Sequence, residues 1–131
     1  MQQGIAVTGS VNQRGEVQPI GGVNRKIEGF FDLCRLKGLN GRQGAMIPSR
    51  NLGQLMLRPD VVDAVRKKKF HVWAVATIEE GLEVLTGLPS GPRGEDGSFP
   101  PDGVFGRVDA KLDRLAEEVA RYGAADLGPP R

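Results

Sequence analysis

The chain has 131 residues, enough for one domain with a modest core. Hydrophobic residues make up 39% and charged residues 26%, an ordinary soluble composition, and the formal charge of +2 excludes a strong whole-protein field for nucleic acid or an anionic membrane. One cysteine, Cys34, and one histidine, His71, exclude an internal disulfide framework, a Cys-rich zinc site and a His-based metal cluster.

No apolar run is long enough to span a bilayer, and Met1-Gln2-Gln3-Gly4 lacks the pattern of a signal peptide. No membrane or nucleic-acid partner is therefore expected.

Residues 4–11 are apolar and β-prone and predict a strand. Asn12-Gln13-Arg14-Gly15 is a hairpin-loop signal, and residues 16–20 alternate as the return strand, with Pro19 at an edge or end. Gly21-Gly22 then opens a helix to about Leu36. Its buried face follows Val23, Ile27, Phe30, Phe31 and Cys34, with Arg25, Glu28, Asp32 and Arg35 opposite. Gly38 lies near its C-cap.

Residues 44–48 read as a short buried strand closed by Pro48, and 49–52 as a turn or short helical segment. A short helix over 60–66 follows Pro59. Residues 70–75 alternate as a strand. Residues 77–87 form a helix with Thr77 as N-cap, Glu80 completing a capping box and Gly87 as terminator. The Gly/Pro-rich stretch 89–103 reads as a linker. Val104, Val108, Leu112, Leu115 and Val119 then form a thin apolar stripe on an amphipathic helix over 104–122, and a disordered tail is expected over 123–131.

Lys26 is the most informative residue. On a helical wheel it falls between Leu33 and Phe30, inside the apolar arc. Desolvation there and the positive end of the helix dipole would both lower the proton affinity of its amine, as a general base requires. The alternative is a snorkelling lysine whose head stays in water. Periodicity leaves both open.

The surrounding residues narrow the choice. Val7-Thr8-Gly9-Ser10-Val11, then Arg14 to Gly22 ending in Pro19-Ile20-Gly21-Gly22, then Lys26, resemble the C-terminal half of the Lon protease proteolytic domain. Met46-Ile47-Pro48, Asn51 and the strand from Phe70 to Val75 follow in the same succession. The resemblance covers Ile5 to about Leu88 and is closest to a bacterial Lon-like subgroup. It implies an α/β (α+β) fold, a small mixed sheet with flanking helices like the second domain of certain ribosomal proteins, incomplete at its N-terminus. Residues 1–88 would be the C-terminal half of the proteolytic domain.

The resemblance further implies a Ser–Lys dyad, with Lys26 as general base and Thr8 as a supporting hydrogen-bonding residue. The sequence departs from the family at Ser10, where an acidic residue is common, and at Arg25, where Glu or Lys is common. The family's nucleophilic serine, in a Gly-Asp-Ser-Ala type of motif, is missing. Ser10, Ser49, Ser90 and Ser98 do not fit it. No Gly-x-x-x-x-Gly-Lys-(Ser/Thr) phosphate loop occurs either.

The expectation is thus a fragment of an ATP-dependent serine endopeptidase acting on unfolded or damaged proteins in the cytoplasm, inactive alone. No cofactor is expected in this chain; ATP and magnesium would sit on the parent's missing ATPase module. A hexameric ring is implied by the family. The alternative is a non-catalytic Lon-like oligomerisation scaffold of the kind associated with DNA repair; such scaffolds typically lose the lysine that this chain keeps. A third reading is a free-standing interaction module using the C-terminal helix.

Other residues have plainer readings. Arg66-Lys67-Lys68-Lys69 complements a helix C-terminus, His71 is a strand residue without metal partners, and Cys34, Trp73, Phe30 and Phe31 are core.

Overall fold

The computed structural model describes residues 1–126 and divides into two compact units, Met1–Gly87 and Leu88 onward. The first unit contains strands β1 (Ile5–Val7), β2 (Ser10–Val11) and β3 (Val17–Gln18), helix α1 (Val23–Lys37), β4 (Gly44–Pro48), a 3-10 segment (Ser49–Gln54), α2 (Pro59–Arg66), β5 (His71–Val75) and α3 (Ile78–Thr86). The second is built on α4 (Val104–Asp126).

Strands β1, β4 and β5 form a parallel sheet in that order, and β2 and β3 pair as an antiparallel ribbon. This is the small mixed strand set with flanking helices that the sequence predicts. β1–α1–β4 and β4–α2–β5 are parallel crossover units, which need a helix to return the chain to the same end of the sheet.

The expected strand over residues 4–11 splits in two. Gly9 takes a φ of 152°, and a Cβ there would meet Val17 Cγ1 at 3.3 Å and Pro48 Cγ at 3.4 Å. The chain therefore leaves the sheet at Thr8-Gly9 and starts the ribbon at Ser10. The ribbon's turn is held by Asn12, whose Oδ1 accepts from the N–H groups of Arg14 and Glu16.

The core lies on one face of the sheet. Val23, Ile27, Phe31 and Cys34 of α1 meet Ala45 and Ile47 of β4, Val61 and Ala64 of α2, and Phe70. Phe70 and Phe31 pack edge to face, 5.2 Å between centroids. α3 covers part of the other face, with Gly81 beside the Met46 sulfur. Its N-cap is Thr77, whose side chain accepts from the Glu80 N–H. Glu80 completes the box one residue early, because its carboxylate accepts from Ala76 N–H at 2.7 Å.

Gly44 explains the packing of the β5 aromatics. A Cβ there would overlap the His71 carbonyl oxygen and lie 2.6 Å from Trp73 Cζ3. Only a glycine lets the Trp73 ring lie against β4, and Trp73 in turn stacks on His71 at 5.3 Å.

In the second unit the Gly/Pro-rich stretch is folded around the start of α4. Ser90 and Gly91 are buried, and Val104 and Phe105 donate to the carbonyls of Pro89 and Ser90. Phe99 packs on Phe105, and the Arg93 guanidinium lies 4.8 Å from the Phe99 centroid. α4 continues four residues beyond the expected end at 122, since Gly123, Ala124, Ala125 and Asp126 remain helical. The remainder of the expected disordered tail, 127–131, lies outside the described residues.

Candidate active site

Three local devices set the start of α1. Gly22 is its N-cap in the left-handed region, φ 69°, with no side-chain cap. A residue with a Cβ is strained there even though the space around it is open. Second, Asn51 is fully buried and bonds both backbone groups of Ile20: its Oδ1 accepts from Ile20 N–H at 3.0 Å and its Nδ2 donates to Ile20 O at 2.9 Å. Nδ2 also donates to Gln54 Oε1. Third, Asn24 donates to the Gln54 carbonyl and accepts from Met56 N–H, both at 2.8 Å. Gly21-Gly22 is thereby tied to the segment that follows β4.

Lys26 lies one turn into α1, its N–H donating to Gly22 O at 3.1 Å. Of the two readings that periodicity leaves open, the exposure of Lys26 fits the snorkelling lysine. The wheel placed it inside an arc that included Leu33, but Leu33 is 47% exposed and Leu36 86%. The face of α1 that this chain covers is the narrower row of Val23, Ile27, Phe31 and Cys34.

Lys26 and Thr8 nevertheless come together. Both line a cavity of about 200 Å³ with Ala6, Val7, Ile27 and Ala45. Thr8 also borders an apolar pocket of about 80 Å³ under the ribbon and α3, beside Met46, Val75 and Leu82. None of the serines of the described residues lines the Lys26 cavity. Ser10 is turned into the ribbon, where its Oγ donates to Gln18 Oε1 at 3.0 Å. Ser98 donates to Asp96, and Ser90 is buried in the second unit.

The cavity opens on the free edge of the sheet. Gly4 O accepts from Gly44 N–H and Thr8 N–H donates to Met46 O, so even-numbered residues of β1 bond to β4. The N–H and C=O groups of Ile5 and Val7 therefore point the other way, where no strand lies among the described residues. Val7 is 58% exposed on that edge.

Sequence reasoning missed the ion network beneath α1. Arg58 donates to Asp32 through Nη1 and Nη2, at 3.1 and 2.5 Å, and to Asp60 through Nε and Nη2, both at 3.1 Å. Glu28 lies 3.7 Å from its Nε, and Arg35 also reaches Asp32 and Asp60. These hydrogen bonds hold the Asp32 and Asp60 carboxyls below their ordinary range and raise the Arg58 guanidinium. Burial pushes the Cys34 thiol up. Apart from the Arg35–Asp32 pair within the helix, the charges of α1 read as a solvated face because their partners, Arg58 and Asp60, lie 25 or more residues away.

Known proteins resemble the chain strongly over part of its length. A protein of Escherichia coli (strain K12) described as "Putative Lon protease homolog" is 47% identical over 88 residues, 67% of this chain and 15% of that protein. The Lon-like assignment follows. An "Archaeal Lon protease" of Thermococcus kodakarensis is 33% identical over 125 residues, 95% of the Lon-like chain and 15% of the relative. A Haemophilus influenzae protein with the same description as the first is 46% identical over 87 residues, 66% of this chain and 14% of its own. The Lon-like chain thus spans about 15% of the length of the curated relatives it matches. No protein-family model matches it. Among the described residues no helix is long and apolar enough to cross a membrane.

Proposed function

We propose that this chain is the base-bearing C-terminal part of a Lon-type proteolytic domain, with Lys26 as general base and Thr8 supporting it. The observation that carries the reading is the shared cavity of Lys26 and Thr8 at the open edge of β1. Lys26 would accept the proton of a serine hydroxyl as that oxygen attacks a peptide carbonyl, and return it to the leaving amine.

In this reading the serine comes from a segment outside this chain. That segment would cover the free edge of β1 and the flank of α1 carrying Leu33 and Leu36. Covering that flank would also exclude water from around Lys26. The parent would be an ATP-dependent serine endopeptidase degrading unfolded proteins in the cytoplasm as a hexameric ring. ATP and magnesium would act on its ATPase module. The retained Lys26 favours this lineage over a non-catalytic scaffold.

The test compares three proteins on one fluorogenic peptide and one unfolded protein substrate. The 131-residue chain alone is expected to hydrolyse neither. The parent polypeptide that holds it should hydrolyse both, and its Lys26→Ala form should lose about a thousandfold or more in kcat with little change in substrate binding. Hydrolysis by the isolated chain that Lys26→Ala abolishes would overturn the fragment reading. Full activity of the parent's Lys26→Ala form would overturn the role of Lys26.

A further inference from the structure

α4 carries an apolar row that the described residues leave uncovered. Val108, Leu112, Leu115, Val119 and Tyr122 are each between 44% and 76% exposed. Their spacing is 4-3-4-3, the seam of a two-stranded coiled coil, and it runs through most of the 23-residue helix. A helix with such a seam and charged flanks is marginal in water by itself and gains most of its stability from a packed partner.

The two flanks of the seam differ. At about 100° per residue, Lys111 and Glu118 lie on one side of the row and Asp109, Ala116 and Gly123 on the other. Neither Lys111 nor Glu118 forms a salt bridge among the described residues. A parallel pair of such helices sets one flank against the other, so Lys111 meets Ala116 and Glu118 meets Gly123. An antiparallel pair sets each flank against itself, so Lys111 of each copy meets Glu118 of the other. The same register is self-complementary in the seam: Leu112 faces Leu115 of the second copy, and Val108 faces its Val119. A two-fold pairing of this kind closes on itself and leaves no surface to propagate.

We propose that α4 is a self-association helix that pairs antiparallel with α4 of a second copy of this chain. The seam supplies the contact and the Lys111–Glu118 pairs set its direction. The inference does not rest on the protease reading.

The experiment is analytical ultracentrifugation of the full 131-residue chain over a hundredfold range of concentration. A monomer–dimer equilibrium is expected. The L112D/L115D double variant should stay monomeric throughout, with Trp73 fluorescence and its thermal transition unchanged, because both leucines are exposed and Trp73 reports on the other unit. K111E and E118K should each weaken the dimer by about tenfold, since each sets like charges against each other twice. An equimolar mixture of K111E and E118K should assemble at least as tightly as the unsubstituted chain, because opposite charges then meet at both positions.

Two results overturn the proposal: a chain that is monomeric at every concentration, or self-association that L112D/L115D leaves intact. Failure of the mixed variants to recover affinity overturns the antiparallel direction.

Discussion

Replacing Asn51 by alanine is the sharpest test of how the start of α1 is held. Its side chain makes three hydrogen bonds, at 3.0, 2.9 and 2.8 Å, two of them to the backbone of Ile20 thirty-one residues away. Alanine strands the Ile20 N–H and C=O in a part-buried position and leaves a small void. A stranded buried backbone group costs about 1–3 kcal/mol. With two such groups partly reached by water, a loss of about 3 kcal/mol is expected. Asn24→Ala removes two bonds at an exposed site and should cost about 1 kcal/mol or less. Urea unfolding followed by Trp73 fluorescence separates the two. With a slope near 1–1.5 kcal/mol/M for a chain of this size, Asn51→Ala should lower the midpoint by about 2–3 M and Asn24→Ala by less than about 1 M. Equal shifts for both, or a loss below about 1 kcal/mol for Asn51→Ala, would refute the claim that burial makes Asn51 the dominant tie.

Gly22→Ala should destabilise by about 1 kcal/mol through its positive φ alone, because the space around it is open; chemical denaturation measures it. Gly44→Ala should be far worse and disturb the near-ultraviolet circular dichroism of Trp73, since its Cβ meets backbone as well as the ring; an unchanged spectrum would count against the stacking account. The Arg58 network predicts a pH dependence. Asp32 and Asp60 have depressed pKa values when folded, so their contribution is present above the ordinary carboxylate range, about pH 4, and is lost as pH falls through the folded values. Arg58→Ala should flatten the acid limb of a stability–pH curve, and an unaltered limb would argue against the network. Cys34 is buried with a raised thiol pKa, so labelling at pH 8 should be about a hundredfold or more slower in the native chain than in urea; quench-and-mass analysis gives the rate.

Much of the fold was legible because it is local. The 3.6-residue spacing of Val23, Ile27, Phe31 and Cys34 marks α1 whatever its neighbours, and Thr77 and Gly87 mark the ends of α3 by their own backbone chemistry. The stretch 4–11 predicts a single strand because Ile5, Val7, Thr8 and Val11 are β-prone. Its break depends on Gly9 passing close to Pro48, thirty-nine positions away. Asn51 shows the same limit. A polar residue after a buried strand looks like a turn, and only the returning chain makes it the buried partner of Ile20.

The site divides the same way. Lys26 and Thr8 were singled out from residue order and resemblance, and the fold sets them on one cavity because β1 and α1 are adjacent around Ala45. The exposure of Lys26 could not be read from periodicity, since a helical wheel shows which residues share a side but not how far the rest of the molecule reaches around it. Residue order alone specifies which residues can be helix, strand and turn, because caps, φ preferences and spacing act within a few residues. That the sheet edge at β1 and the Leu33–Leu36 flank of α1 stand open among the described residues follows from the three-dimensional packing, because burial and edge pairing depend on contacts that distant segments make or leave unmade.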